Sequence, residues 1–286
     1  MSADSTEIML TGHVCVDVND SEGSSYTSWG SPLMYMARYF ERNQPDVDPV
    51  LIAPYGRDFL RYTGGLTLMP LPQGEHTLVY KNYSRGGHRN QQCEYADSAE
   101  PVALTEDITE RVKRADIICV APLLPNFSQD YVRDLLSHRQ PSAKTVLLPQ
   151  GYFRTVEADG RVVPREFEEA GEIIPLFDMV ILSEDDHPGS HHLTKQWASM
   201  SPSSNIVMTL GEKGASWVTS KKVITVETNP VPEDLIVDSV GCGDTFSAAA
   251  MYSYYHDGDV LTAIKAGNKA ARAKLFQAPL ERTEPV

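Results

Sequence analysis

From Leu104 to Gly211 the chain alternates between two hydrophobic periods. "LTEDITERVKRA" has apolar residues at helical spacing and is followed by the short apolar run "DIICVAP". "SQDYVRDLLSHR" then leads into "KTVLLPQG", "REFEEAGEIIPLF" into "DMVILSE", and "HHLTKQWASM" into "NIVMTLG". Helix and strand repeating with short connections is the pattern of a doubly wound, mostly parallel α/β sheet flanked by helices. Strands buried on both faces read as continuous apolar runs, and these do. Ligands in such sheets bind beyond the carboxyl ends of the strands. Asp17, Gln150-Gly151, Ser183 to Asp186 and Thr209 to Gly211 fall at such ends.

The first third departs from the alternation. "IMLTGHVCVDV" reads as one buried strand ending near Asp17, and "SPLMYMARYFER" as a helix with Pro32 in its first turn. "EHTLVYKNYSRGGHRNQQCEY" alternates, turns at Gly86-Gly87 and resumes, as a β-hairpin does. A small β lid inserted into a single domain over 1–286 is expected, from segments at approximately 18–28 and 74–99. "GASWVTS" and "KVITVET" form a second hairpin, and two helices, 244–256 and 259–276, close the chain. The lid hairpin is marginal alone. It needs the core or a second subunit's lid to bury its apolar side, which leaves a homodimer through the lid open.

Composition narrows the function. The chain has 286 residues and a formal net charge of -14, which argues against nucleic-acid and anionic-membrane partners. The four cysteines, Cys15, Cys93, Cys119 and Cys242, form no CxxC pair and have no zinc spacing. No secretory leader is evident in "MSADSTEIMLTGH" and no apolar run has the length of a membrane span, so a reduced, cytoplasmic location is expected. His191-His192 have no acidic partner at ligand spacing, and Tyr252, Tyr254 and Tyr255 read as packing residues.

"DSVGCGDTFSAAA" is the segment that points to chemistry. Gly241 and Gly243 flank a small residue directly before a run of helix formers, where unpaired amides and the positive end of the helix dipole favour an anion. Asp244 is either a cap or a base at that site. The segment resembles the D-T-x-G-A-G-D-x-F signature of the ribokinase-like (PfkB) carbohydrate kinases. "GHVCVDV", "YGRDF", "IVMTLGEKGA" and "AIKAGNKAARAKL" resemble further motifs of that family in the same order. "TLVYKNYSRGGHRNQ", "VLLPQGYFR" and "ILSEDDH" look like its inositol kinase-like branch.

The resemblance implies a ribokinase-like fold and ATP-dependent phosphorylation of an alcohol on a small polyol, with Mg2+. It places Asp244 as general base and the Gly241, Cys242, Gly243 and Asp244 amides as anion hole. Cys242 stands at the family's alanine; a nucleophilic cysteine is the sharper alternative. Asp17 matches the substrate-binding aspartate, and Arg154 meets substrate or phosphate. Ser183 and Asp186 fall on the family's N-x-x-E, with Asp186 toward magnesium. Thr209, Gly211 and Asn268 match nucleotide-side positions. Trp29-Gly30 stands where the family has Gly-Gly, so Trp29 is read as an apolar wall against the substrate or as core. A nucleoside kinase, with Tyr26 and Trp29 against a base, and a catalytically silent binding protein are the alternative readings.

Overall fold

A computed structural model describes residues 5–21, 24–47, 49–85 and 88–277. The expected turn at Gly86-Gly87 and part of the 18–28 segment lie outside the described residues. In chain order the strands are β1 (Ile8–Gly12), β2 (Cys15–Ser21), β3 (Ser24–Gly30), β4 (Val50–Ile52), β5 (Thr67–Met69), β6 (Val79–Arg85), β7 (His88–Glu94), β8 (Ile117–Ala121), β9 (Lys144–Leu147), β10 (Arg154–Val156), β11 (Val162–Pro164), β12 (Met179–Ser183), β13 (Asn205–Thr209), β14 (Ala215–Val218) and β15 (Val223–Val226). The helices are α1 (Pro32–Asn43), α2 (Glu106–Arg114), α3 (Gln129–Ser137), α4 (Ala170–Ile173), α5 (Ser190–Met200), α6 (Cys242–Asp257) and α7 (Val260–Lys274).

Nine strands form the main sheet in the order β15-β14-β13-β12-β9-β8-β1-β4-β5. It is parallel from β13 to β5, and β14 and β15 add an antiparallel hairpin at one edge. The apolar runs are buried on both faces, as their composition requires. In β8, Ile117, Cys119 and Ala121 join the core beneath α1, α6 and α7. Ile118 and Val120 join the opposite core, beneath α2, α3 and α5.

The expected first strand is two strands. The chain leaves the main sheet at Gly12 and enters a four-stranded sheet, β3-β2-β6-β7. His13 makes the corner and is fully buried. Its Nδ1 accepts the Leu123 N–H at 2.8 Å, so Nε2 carries the proton donated to the Ala99 carbonyl, also at 2.8 Å. Burial, the largest cause, pushes the ring down to about 4 and keeps it neutral. Asp17 therefore belongs to the lid sheet, not to the end of β1.

Two further departures have local causes. The helix expected over 165–177 shortens to α4 and a 3-10 turn at Ile174–Leu176, since Pro175 supplies no N–H to continue it. The hairpin of β10 and β11 went unread in the sequence. Its signal is Asp159-Gly160, a turn pair between two short β runs. Gln92 bridges to Arg161, and the Cys93 N–H donates to the Gly160 carbonyl at 2.7 Å. The hairpin thus covers the β7 edge of the lid, which would otherwise be open for pairing.

Trp29 is a core residue. Its side chain is 2 % exposed, its ring lies 5.4 Å from that of Tyr35, and the Arg38 guanidinium sits 5.9 Å over it. We expect Trp29→Ala to cost about 3–5 kcal/mol of stability by leaving a cavity. Urea denaturation checks this, and a loss under about 1 kcal/mol would contradict a packed core role.

Candidate active site

A cavity of about 560 Å³ lies between the lid and the start of α6. The lid supplies one face of its strands. In register, Asp17 pairs with Ser28 and Tyr80, and Asn19 with Tyr26 and Asn82, so the period of two turns all six toward the cavity they line. The alternation of "HTLVYKNY" in the sequence puts Leu78, Tyr80 and Asn82 on one face and Thr77, Val79 and Lys81 on the other. Gln91 Nε2 donates to Asn82 Oδ1 at 2.8 Å, and Asn82 Nδ2 donates to Asn19 Oδ1 at 3.1 Å. The roof is thus a chain of carboxamides next to a carboxylate. Gly30 is required by that carboxylate: a Cβ there would lie 2.0 Å from Asp17 Oδ2.

The floor is the beginning of α6. Gly241 caps it with φ +77, in the left-handed region, and a Cβ at this position would strike the Tyr35 ring at 2.2 Å. Gly241, Cys242, Gly243 and Asp244 all border the cavity. The first amides of a helix have no intrahelical acceptor and lie at the positive end of its dipole, here of a 16-residue helix; of these, the Cys242 N–H donates to the Ser239 carbonyl at 3.3 Å.

Asp244 is half-buried and borders the cavity. Withdrawal from water is the largest cause that pushes its carboxyl up to about 7; the negative charges of Asp186 and Asp17 add to it, and Arg154 opposes. Asp186 is also raised, first by burial, while the Ser183 N–H, Gln150 and Arg154 favour its charged form. Ser183 N donates to Asp186 Oδ2 at 2.8 Å and Gln150 Nε2 to Oδ1 at 3.1 Å. Arg154 lies with its guanidinium 5.8 Å over the Tyr80 ring. It borders both this cavity and a second one of about 720 Å³, which Ser183 and Asp186 also line.

Cys242 does not have the setting of a nucleophile. Burial pushes its thiol up to about 11, against the pull of Lys274, and Sγ donates to the Ala271 carbonyl at 3.6 Å. A thiol in that state is protonated at neutral pH, and the residue serves as the small side chain the turn needs.

The nucleotide-side candidates lie elsewhere. Thr209 ends β13, with its hydroxyl 3.4 Å from the Leu182 carbonyl. Gly211 begins an exposed 3-10 turn at φ +56. Asn268 is 8 % exposed and its Nδ2 donates to the Val226 carbonyl at 2.9 Å. None of the three borders either cavity, and Trp29 borders neither.

Among the described residues no group of three His, Cys, Asp or Glu side chains could hold a metal ion. Asp186 offers the remaining lone pairs of two oxygens that already accept a hydrogen bond each. That suits a cation held largely through water, the habit of magnesium. Ser31, Tyr35, Gln91 and Asp238 also line the cavity, and sequence reasoning missed them. Ser31 sits at φ 105, an uncommon conformation for a residue with a side chain, and its hydroxyl accepts the Met34 N–H at 3.4 Å to cap α1.

Residues 177–280 match the model of the pfkB family carbohydrate kinases. No curated protein sequence matches the chain. A pyrophosphate-dependent kinase in the ribokinase family, complexed with a pyrophosphate analog and myo-inositol, is similar with a TM-score of 0.76 at 16% identity, covering 95% of this chain and 96% of its own. Ribokinase from Giardia lamblia gives 0.73 at 16% identity over 96% and 94%. Adenosine kinase from Sinorhizobium meliloti gives 0.69 at 14% identity over 97% of each. The fold is ribokinase-like, and no helix among the described residues is long and apolar enough to cross a membrane.

The raised carboxyl of Asp244 has a consequence for stability. Its pKa is above the unfolded value of 3.8, so the folded state holds the proton more tightly. That contribution is full below the unfolded pKa and is lost as pH rises through about 7. Asp244→Asn, which stays uncharged, should therefore melt higher than the wild type at pH 8 and converge with it near pH 4. Melting curves at the two pH values check this; a variant less stable at pH 8 would contradict it.

Proposed function

We propose that this ribokinase-like chain, with its pfkB carbohydrate kinase segment, phosphorylates an alcohol hydroxyl of a small polyol, a cyclitol or sugar, with ATP as donor. The observation that carries the reading is Asp244: a carboxyl raised to about 7, bordering a cavity at the start of a helix. A base with a pKa near the working pH is the best compromise between being deprotonated and taking a proton. The reading treats the chain as one kinase domain with the lid inserted in it.

The acceptor hydroxyl would lie against Asp244, which takes its proton as the oxygen attacks the terminal phosphorus. The new P–O bond forms while the bond to the bridging oxygen of the donor breaks, and its electrons leave with the nucleoside diphosphate. The Gly241–Asp244 amides stabilise the oxygens of the phosphoryl group in transit, at the place where charge develops. Arg154, between the two cavities, balances Asp17, Asp186 and Asp244 and is placed to meet the same group. Asp17 accepts acceptor hydroxyls, and the Asn19, Asn82 and Gln91 amides offer further polar contacts. Magnesium, held through water at Asp186, would supply charge neutralisation on the donor.

Two observations keep other arms in the test. Tyr26 borders the cavity, which favours a nucleoside as second reading. Thr209, Gly211 and Asn268 border neither cavity, and one similar structure is of a pyrophosphate-dependent enzyme, so pyrophosphate is the second donor. A panel of cyclitols, monosaccharides and nucleosides with magnesium and either donor, followed by product phosphate ester, distinguishes them. Turnover of a cyclitol or sugar is expected. Turnover of nucleosides alone would shift the acceptor, and binding without turnover of any acceptor would make this a silent member.

Asp244→Asn should lower kcat by about 10²–10⁴ while the donor still binds. Below about pH 7 wild-type turnover should fall with pH as Asp244 takes up a proton. Near-normal turnover in the folded variant would remove Asp244 from the chemistry. Asp17→Ala should raise the acceptor KM by about 10- to 100-fold, as loss of a charged hydrogen bond does, with the donor KM little changed. An effect confined to the donor would place Asp17 on the wrong side of the site.

A further inference from the structure

Lys274, the last residue of α7, has its ammonium inside the protein. Nζ lies 2.8 Å from Asp238 Oδ2, and the two side chains are 4% and 7% exposed. A buried ion pair is weak evidence for stability, because desolvation offsets the attraction, so its position is the more informative fact. Asp238 opens the loop that leads into the anion hole and borders the substrate cavity. Its Oδ1 accepts the Val240 N–H at 3.1 Å. Val237 N–H donates to the Leu275 carbonyl at 2.8 Å, and Cys242 Sγ rests on the Ala271 carbonyl at 3.6 Å. The loop is thus bolted along its length to the last turns of α7, and on its other side Gly241 presses against Tyr35.

We propose that Lys274 is a positioning residue for phosphoryl transfer, acting through Asp238 to aim the Gly241–Asp244 amides at the transferring group. The proposal rests on the kinase reading above. The ammonium does two things in this place. It fixes the carboxylate that holds the Val240 amide, and so sets the path of the loop into Gly241. It also cancels a negative charge at the wall of a cavity into which a phosphate must come. Without Lys274 the Asp238 carboxylate would be buried and unpaired, free to turn toward the cavity and repel the donor.

The test compares the wild type with Lys274→Met and with the double variant Asp238→Asn/Lys274→Met. Melting temperature, kcat, acceptor KM and hydrogen exchange of the 238–244 amides are read for each. Lys274→Met alone should lose both stability and turnover. The double variant leaves no charge unpaired, so its melting temperature should recover. Its kcat should stay down by on the order of tenfold or more, as for a misplaced catalytic group, with acceptor KM within about twofold. Its 238–244 amides should exchange faster than in the wild type. Recovery of kcat together with melting temperature would overturn the proposal and leave a merely structural pair, as would wild-type exchange in the double variant. If the wild type turned over no acceptor, the kinase reading would fail, and the exchange arm alone would still judge whether Lys274 holds the loop.

Discussion

The amides at the start of α6 are the constraint to which the rest of the site answers. They need an anion, and the helix dipole adds to that need. Yet the residue that follows them is an acid, Asp244, withdrawn from water and held near neutrality. The amide dipoles and a carboxyl with a raised pKa share one helix end. The surrounding structure makes this arrangement hold: Gly241 takes a left-handed turn against Tyr35, and the buried Lys274–Asp238 pair ties the preceding loop to α7.

The lid answers the same site from above. Its inner face is polar where a core-facing sheet would be apolar. A short chain of carboxamides runs across three strands next to Asp17, and only glycine at position 30 leaves room for that carboxylate. Such a roof suits a ligand rich in hydroxyls. Apolar packing adjoins the roof on the same face, where Cys15, Leu78, Tyr80 and Cys93 pack with Leu123 and Leu124. The β10–β11 hairpin covers the β7 edge, so one side of the lid has a hydrogen-bonded neighbour instead of an open ladder.

Charge in the cavity is finely shared. The charges of Asp186 and Asp17 both raise Asp244, and Arg154 opposes the rise at both Asp186 and Asp244. Arg154 can do this because it starts β10 directly after a buried 3-10 turn, Pro149–Phe153, which aims it between the two cavities. Its guanidinium lies over Tyr80, which limits the freedom of the side chain.

Much of this was legible in the sequence. The alternation of helical and apolar runs determined the parallel sheet, since strands buried on both faces leave no other reading. Gly241 to Asp244 marked the helix start that borders the cavity, since local backbone chemistry and the helix start are properties of adjacent residues. The period of two put Tyr80 and Asn82 together on one face. Other features were decided by tertiary structure. Trp29 read equally as a wall for substrate or as core, and is core, because its burial depends on Tyr35 and Arg38 from the following helix. Asp17 looked like the end of β1 and is in the lid, because the chain turns at a histidine whose partners, Ala99 and Leu123, are distant in sequence. Lys274 carried no signal at all, since nothing in a helix-end lysine shows that its ammonium will be buried against Asp238. Sequence determines what is set by neighbours along the chain; pKa, burial and pairing are set by neighbours in space, and those exist only once the chain has folded.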